Sequence, residues 1–315
     1  MDSAAFASAL RGRLIAAPAT PRDQDGRIVQ QDLENYAAAI GAGVDGVCVW
    51  AHTARGLELS DVERKAVLAA FRASTDGPLL AAVGPRPDAV GDFADELVSV
   101  QRLAEDAAAG GADALMVFPA PSLRAVRTRS ARTIRMHVEV SASVGLPVIG
   151  FLLYPEAGGV PYDPGLLIEL VARPEVAGVK LATLYDAMAC QDAIAAIHAG
   201  GGLAITGEDR MFGPSLMWGA DAALVGIAAA ATHVSRQLMR TWFAKDAAGF
   251  LAASERLERL ADATFRAPMD GYVQRMLWVA EREGILPSRS AYDPHGGRLA
   301  AQERAKVHAA YDETA

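Results

Sequence analysis

The chain has 315 residues, 51% hydrophobic and 22% charged, with a formal net charge of −8. That size allows one large buried core, and an acidic chain without a basic stripe excludes general nucleic-acid binding. No apolar run reaches the roughly eighteen residues that a membrane span needs, and the amino-terminal stretch lacks an export signal. Cys48 and Cys190 lie in apolar contexts without disulfide or metal-ligand spacing. The chain therefore reads as a cytoplasmic protein that needs no cofactor, binds no membrane and carries no metal site.

The first run rich in Val, Ile and Leu covers residues 13–21. Leu33, Tyr36, Ala37 and Ile40 follow at helical spacing, with Gly43 as a C-terminal stop. A second run covers 44–52, and Ser60 and Glu63 then have capping-box spacing ahead of Val67 and Phe71. Runs three to five cover 78–85, 112–121 and 146–154. Asp163-Pro164 forms an N-cap and first-turn pair before Leu166, Leu167 and Leu170. The sixth run, 176–183, precedes an alanine-rich helical segment at 186–199, and runs seven and eight cover 203–208 and 221–229. Gly-Val-Asp or Gly-Ala-Asp, beginning at Gly43, Gly111 and Gly219, leads into the second, fourth and eighth runs as a weak internal repeat.

Near-continuous hydrophobicity marks parallel strands buried on both faces. Eight such runs alternating with helices predict an α/β fold, a closed (β/α)8 TIM barrel. A doubly wound sheet would show a glycine-rich phosphate turn after an early strand, and none is present. After Ala230 the strand signal stops, and helices are predicted over 234–245, 247–263, 270–283 and 300–312. The predicted organisation is a catalytic barrel over 1–232 with a C-terminal helical appendage over 233–315. His137, His198 and His308 fall on helices and read as exposed, and the four tryptophans read as packing residues.

Of 30 basic residues only four are lysines, and Lys180 alone sits in a buried-strand pattern, Val176-Ala-Gly-Val-Lys180-Leu-Ala-Thr183. Burying an ammonium is costly unless it is paired or neutral. Two readings stand: a desolvated neutral amine that attacks carbonyl carbon, or a buried stem whose head reaches water or a carboxylate.

From about Arg13 to Asp312 the chain resembles the dihydrodipicolinate synthase and N-acetylneuraminate lyase group of class I aldolases. The likeness rests on Thr20-Pro21 with Asp25-Gly26, on Gly43-Val-Asp45-Gly-Val followed by Leu59-Ser60 and Glu63-Arg64, and on Leu146-Pro147-Val-Ile. It rests also on the Lys180 segment and on Thr206-Gly207-Glu208-Asp209. The resemblance implies that Lys180 forms a Schiff base with a 2-oxo acid. The family's Gly-Thr-Thr-Gly-Glu loop, which holds the substrate carboxylate, reads Ala51-His52-Thr53-Ala54-Arg55 here. Thr53 is thus the retained carboxylate ligand, with His52 and Arg55 as compensating donors and Gly207 beside the substrate.

Other positions depart from the family. Ala120 and Pro121 replace its paired tyrosines, and Ala157 falls near its aldehyde-binding arginine. Its catalytic tyrosine on the fifth strand falls on Phe151 or on Leu152, depending on the alignment. Tyr154, on the same face as Leu152 by strand alternation, is the expected substitute. Glu208 and Asp209 read first as an acidic turn capping the next helix.

The expected function is a Schiff-base lyase, aldolase or dehydratase, acting on pyruvate or a sugar-derived keto acid. Its partners would be a small 2-oxo acid and an aldehyde or sugar acid. The alternatives are dihydrodipicolinate synthase with a rearranged proton relay, or a barrel that binds a keto acid without turnover. The resemblance also implies a homo-oligomer, a dimer or tetramer.

Overall fold

Each apolar run carries one parallel strand in the computed structural model, which describes residues 2–87, 92–124, 127 and 129–314. The strands are β1 (Leu14–Ala16), β2 (Gly46–Val49), β3 (Leu79–Val83), β4 (Ala114–Val117), β5 (Val148–Leu153), β6 (Val176–Ala182), β7 (Leu203–Thr206) and β8 (Ala222–Val225). They pair in chain order, and β8 returns to β1 to close the barrel. Every strand residue except Leu152 is buried, which explains why the runs lack polar alternation.

A first helix, α1 (Ser3–Leu10), capped by Asp2, packs against β6; it has no counterpart among the predicted elements. The ring helices are α2 (Gln30–Gly43), α3 (Asp61–Ser74), α4 (Phe93–Ala109), α5 (Arg129–Val144), α6 (Pro164–Val171), α7 (Ala187–Ala199), α8 (Phe212–Met217) and α9 (Thr232–Phe243). The Ser60 and Glu63 capping box forms, and Asp163 caps α6 with Pro164 at its first position. Gly43 has another reason than the predicted stop: a Cβ there would lie 2.9 Å from Thr232 Cγ2, so glycine lets α2 approach the start of α9. His137, expected on the surface, is buried inside α5 with Nδ1 2.8 Å from the Thr133 carbonyl oxygen.

The Gly-x-Asp repeat has a structural cause. Asp45, Asp113 and Asp221 each accept a backbone N–H from the first or second residue of the preceding strand, from Leu14 (2.8 Å), Leu79 (2.8 Å) and Ala204 (3.0 Å). Their own backbone N–H groups donate to the carbonyls of those same residues. A strand's opening N–H needs a partner beyond the ladder, and at Leu14 and Leu79 these carboxylates supply it.

The chain ends in α10 (Ala247–Thr264), α11 (Tyr272–Glu283) and α12 (Ala301–Asp312). This region is tied back to the barrel by side chains. Asp32 of α2 accepts from Arg289 (2.6 Å) and Ser290 (2.5 Å), and Arg22 bridges to Ala291 and Tyr292.

Candidate active site

β6 is buried along its whole length and carries Lys180 two residues before its C-terminal end. That end is where a barrel of this kind places its chemistry. Lys180 is 6% exposed, and among the described residues its Nζ has no hydrogen bond or ion pair. The register pairs Lys180 with Phe151 of β5, and Nζ lies 4.4 Å from the centre of that ring. Burial holds the amine below the ordinary lysine pKa, against upward pulls from Cys48, Asp209 and Glu208. Gly207 lies beside the lysine stem, where a side chain would collide with Lys180 Cε.

The loop after β2 is bent by two left-handed residues other than glycine, Trp50 (φ 58°) and Arg55 (φ 52°). Such backbone costs about 1–2 kcal/mol per residue, so it persists only where the surroundings enforce it. Thr20 Oγ1 donates to the Ala54 carbonyl (2.9 Å), and Trp50 Nε1 to the Arg64 carbonyl (3.1 Å). Gly56 packs directly on the Trp50 backbone. The loop so held turns His52 and Thr53 towards Lys180.

Lys180, Tyr154, Thr53, His52 and Gly207 line one cavity of about 50 Å³. By volume it holds a few waters, or one small acid in their place. Phe151 and Leu153 line it too, so the cavity-facing side of β5 is theirs and not that of Leu152. Tyr154 enters by another route than strand alternation: β5 ends at Leu153, and the following turn swings Tyr154 inward. Burial, then the Asp209 charge, pushes its phenol up to about 12.

Arg55 is not among the residues that line this cavity. Its guanidinium donates to Asp293 Oδ2 from Nη2 (2.7 Å) and Nε (3.3 Å), and to Asp270 Oδ1 (2.7 Å) and the Asp270 carbonyl (2.9 Å). It thus clasps the β2 loop to the C-terminal region.

Three further groups meet at the cavity. Asp209 accepts the Ile227 N–H (2.8 Å), and burial raises its carboxyl to about 7. α8 is not capped by either acidic residue. Glu208 instead reaches back to β6, accepting from Thr183 and Leu184, and so holds Leu184 at φ 61°. Tyr272, at the start of α11, reaches His52 Nδ1 (2.8 Å) and Thr53 Oγ1 (3.4 Å) through its hydroxyl. Burial, then the charges of Arg55 and Lys180, lowers His52 to about 4, so its ring is neutral at pH 7. Tyr272 is 219 residues from Thr53 in the chain, and no local motif marks it.

Chemically, the cavity offers an unpaired amine, a carboxyl that titrates near neutrality, two phenols and a neutral imidazole. Among the described residues no cluster of His, Cys, Asp and Glu suits a metal ion, and no helix is long and apolar enough to cross a membrane.

The sequence profile of the Dihydrodipicolinate synthetase family matches residues 10–313. No curated protein matches the chain in sequence. Among solved structures, the dihydrodipicolinate synthase of Oceanobacillus iheyensis superposes with a TM-score of 0.82 at 14% identity, covering 99% of this chain and 98% of its own. The N-acetylneuraminate lyase of Fusobacterium nucleatum gives 0.77 at 16% identity, over 96% and 98% of the two chains. A catalytic-lysine mutant of the Ruminococcus gnavus sialic acid aldolase gives 0.79 at 17% identity, over 98% and 96%. At these identities the superpositions speak for the fold.

Proposed function

The chain belongs to the dihydrodipicolinate synthetase family, whose members are Schiff-base lyases of the class I aldolase type, and on that premise we propose that Lys180 condenses with a 2-oxo acid. The observation that carries this reading is a buried amine with no ionic partner, facing a cavity at the C-terminal ends of the strands.

The nitrogen lone pair attacks the C2 ketone to form a C–N bond. The resulting hydroxyl takes a proton and leaves as water, which gives an iminium ion. In an aldolase, the C4 hydroxyl then loses its proton to a base and the C3–C4 pair flows into the iminium. An aldehyde and an enamine result. In a dehydratase, C3 loses a proton and the C4 hydroxyl departs as water. Tyr154 and the Asp209 carboxyl are the proposed proton carriers at C3 and C4. Thr53 and His52 are proposed to orient the substrate carboxylate, and Gly207 makes room for the reacting amine. Arg55 is proposed as a clasp between barrel and appendage, since its donors are committed to Asp270 and Asp293.

Pyruvate or a sugar-derived keto acid is the proposed substrate class. Dihydrodipicolinate synthesis is the weaker reading, because Ala120, Pro121 and Ala157 stand where the relay tyrosines and the aldehyde-binding arginine are expected. The division at residues 232 and 233 is proposed on the end of the strand signal, although α9 packs on α2 and β1 and completes the ring of helices. A dimer or tetramer is the proposed assembly, to be measured by light scattering. A cytoplasmic location is proposed from the two free, buried thiols.

The test is product analysis on a panel of 4-hydroxy-2-oxo acids. Fragment pairs identify an aldolase, and loss of water identifies a dehydratase. Binding without either product by any member of the panel contradicts catalysis.

A further inference from the structure

Tyr272 belongs to no barrel strand, yet its side chain lines the cavity that holds Lys180. A short turn, Met269–Gly271, delivers it from the end of the α10 segment to the start of α11. Its ring is stacked on His52 at 5.9 Å and 7°, and on Phe265 at 5.0 Å and 27°. Its hydroxyl has a polar partner on each side, His52 Nδ1 at 2.8 Å and Thr53 Oγ1 at 3.4 Å. We infer that Tyr272, positioned by His52, is a catalytic proton carrier for the condensation at Lys180, so that the C-terminal region completes the active site.

Three observations converge on this assignment. Phe151 is the aromatic residue that pairs with Lys180 in the sheet, and it has no hydroxyl. Tyr154 has a hydroxyl, but among the described residues no hydrogen bond holds it towards the amine. Tyr272 has both, on a ring fixed between two others. Its phenol is buried and pushed above its ordinary pKa, so it does not persist as phenolate. A group of that kind serves by giving and receiving a proton within one step.

The Lys180 lone pair forms the C–N bond as the carbonyl π pair moves to oxygen, leaving an ammonium and an alkoxide. The ammonium passes a proton to the phenol oxygen while the phenol proton passes to the alkoxide. A neutral carbinolamine results and Tyr272 is unchanged. His52, uncharged at neutral pH, fixes the phenol by its Nδ1 contact, and in the step the hydroxyl proton turns from the long Thr53 contact to the alkoxide.

The inference rests on the Schiff-base reading, and the experiment separates the two. Wild type and Tyr272→Phe are incubated with pyruvate and cyanoborohydride, and labelling of Lys180 is followed in time. The expected result is a labelling rate lowered about 10²- to 10⁴-fold, with the same peptide labelled after long incubation and KM changed only a few-fold. A variant that labels within threefold of the wild-type rate overturns the role of Tyr272 and leaves the lyase reading intact. A wild type that never labels with any 2-oxo acid overturns the lyase reading, and this inference with it. Should Tyr272→Phe fail to fold, 3-fluorotyrosine at position 272 keeps the ring and hydroxyl while making the phenol more acidic. A labelling rate that shifts with that acidity supports the assignment, and an unchanged rate contradicts it.

Discussion

Gly207 and Lys180 fit together only because residue 207 has no side chain. A Cβ there would collide with Lys180 Cε and lie 2.6 Å from the Leu181 carbonyl oxygen, which belongs to β6 and cannot yield. Gly207→Ala should therefore displace the lysine stem. We expect labelling of Lys180 by a 2-oxo acid and borohydride to fall at least about tenfold, a displacement worth 1.4 kcal/mol or more. Timed mass spectrometry of the Lys180 peptide checks this, and wild-type labelling would show that the stem has room to relocate.

Burial lowers the Lys180 pKa, and Asp209 is one of the groups that pull against it. Its charge favours the ammonium and opposes the desolvation that lowers the lysine pKa. Asp209→Asn removes that opposition, so the amine should be free at lower pH. The midpoint of the labelling rate against pH should move down by on the order of one unit. A midpoint that stays or rises would exclude the coupling.

Much of this arrangement is legible in the sequence because burial and chain order carry it. The eight runs show as unbroken apolar stretches, and the capping box at Ser60 and the Asp163-Pro164 helix start depend on contacts within a few residues. Lys180 stands out because an ammonium conflicts with its apolar setting. What is missed depends on distance in the chain. Tyr272 joins His52 across 220 positions, and Arg55 meets Asp293 across 238. Tyr154 is reached for the wrong reason, since the strand ends one residue before it. The Gly-x-Asp repeat is visible as a pattern, but the strand N–H groups that it serves are not.

The Arg55 clasp should show in stability. Asp293 is 5% exposed, so Arg55→Ala leaves a buried carboxylate without its partner. Breaking such a pair costs about 3–5 kcal/mol, readable as a lower urea midpoint. The double variant with Asp293→Asn should recover part of the loss, because the stranded charge is then gone. Equal midpoints for wild type and Arg55→Ala would contradict the clasp.

Acid should weaken the fold through His137. Burial lowers its pKa to about 4 from an ordinary value of 6.5. The unfolded chain therefore takes up this proton first, and the stability linked to His137 is complete above about pH 6.5 and lost as pH falls towards 4. The difference amounts to roughly 3 kcal/mol. His52 shares the direction and the window. His137→Leu should flatten the acid limb of stability relative to wild type, as measured by urea unfolding between pH 4 and 7; parallel curves would contradict the assignment.

The most direct measurement is reductive trapping of the wild-type chain with a panel of 2-oxo acids at neutral pH, followed by peptide mapping. The account predicts one reduced adduct per chain, on the peptide containing Lys180, and none on Lys65, Lys245 or Lys306. Adducts spread over the exposed lysines, or no adduct with any 2-oxo acid, would contradict it.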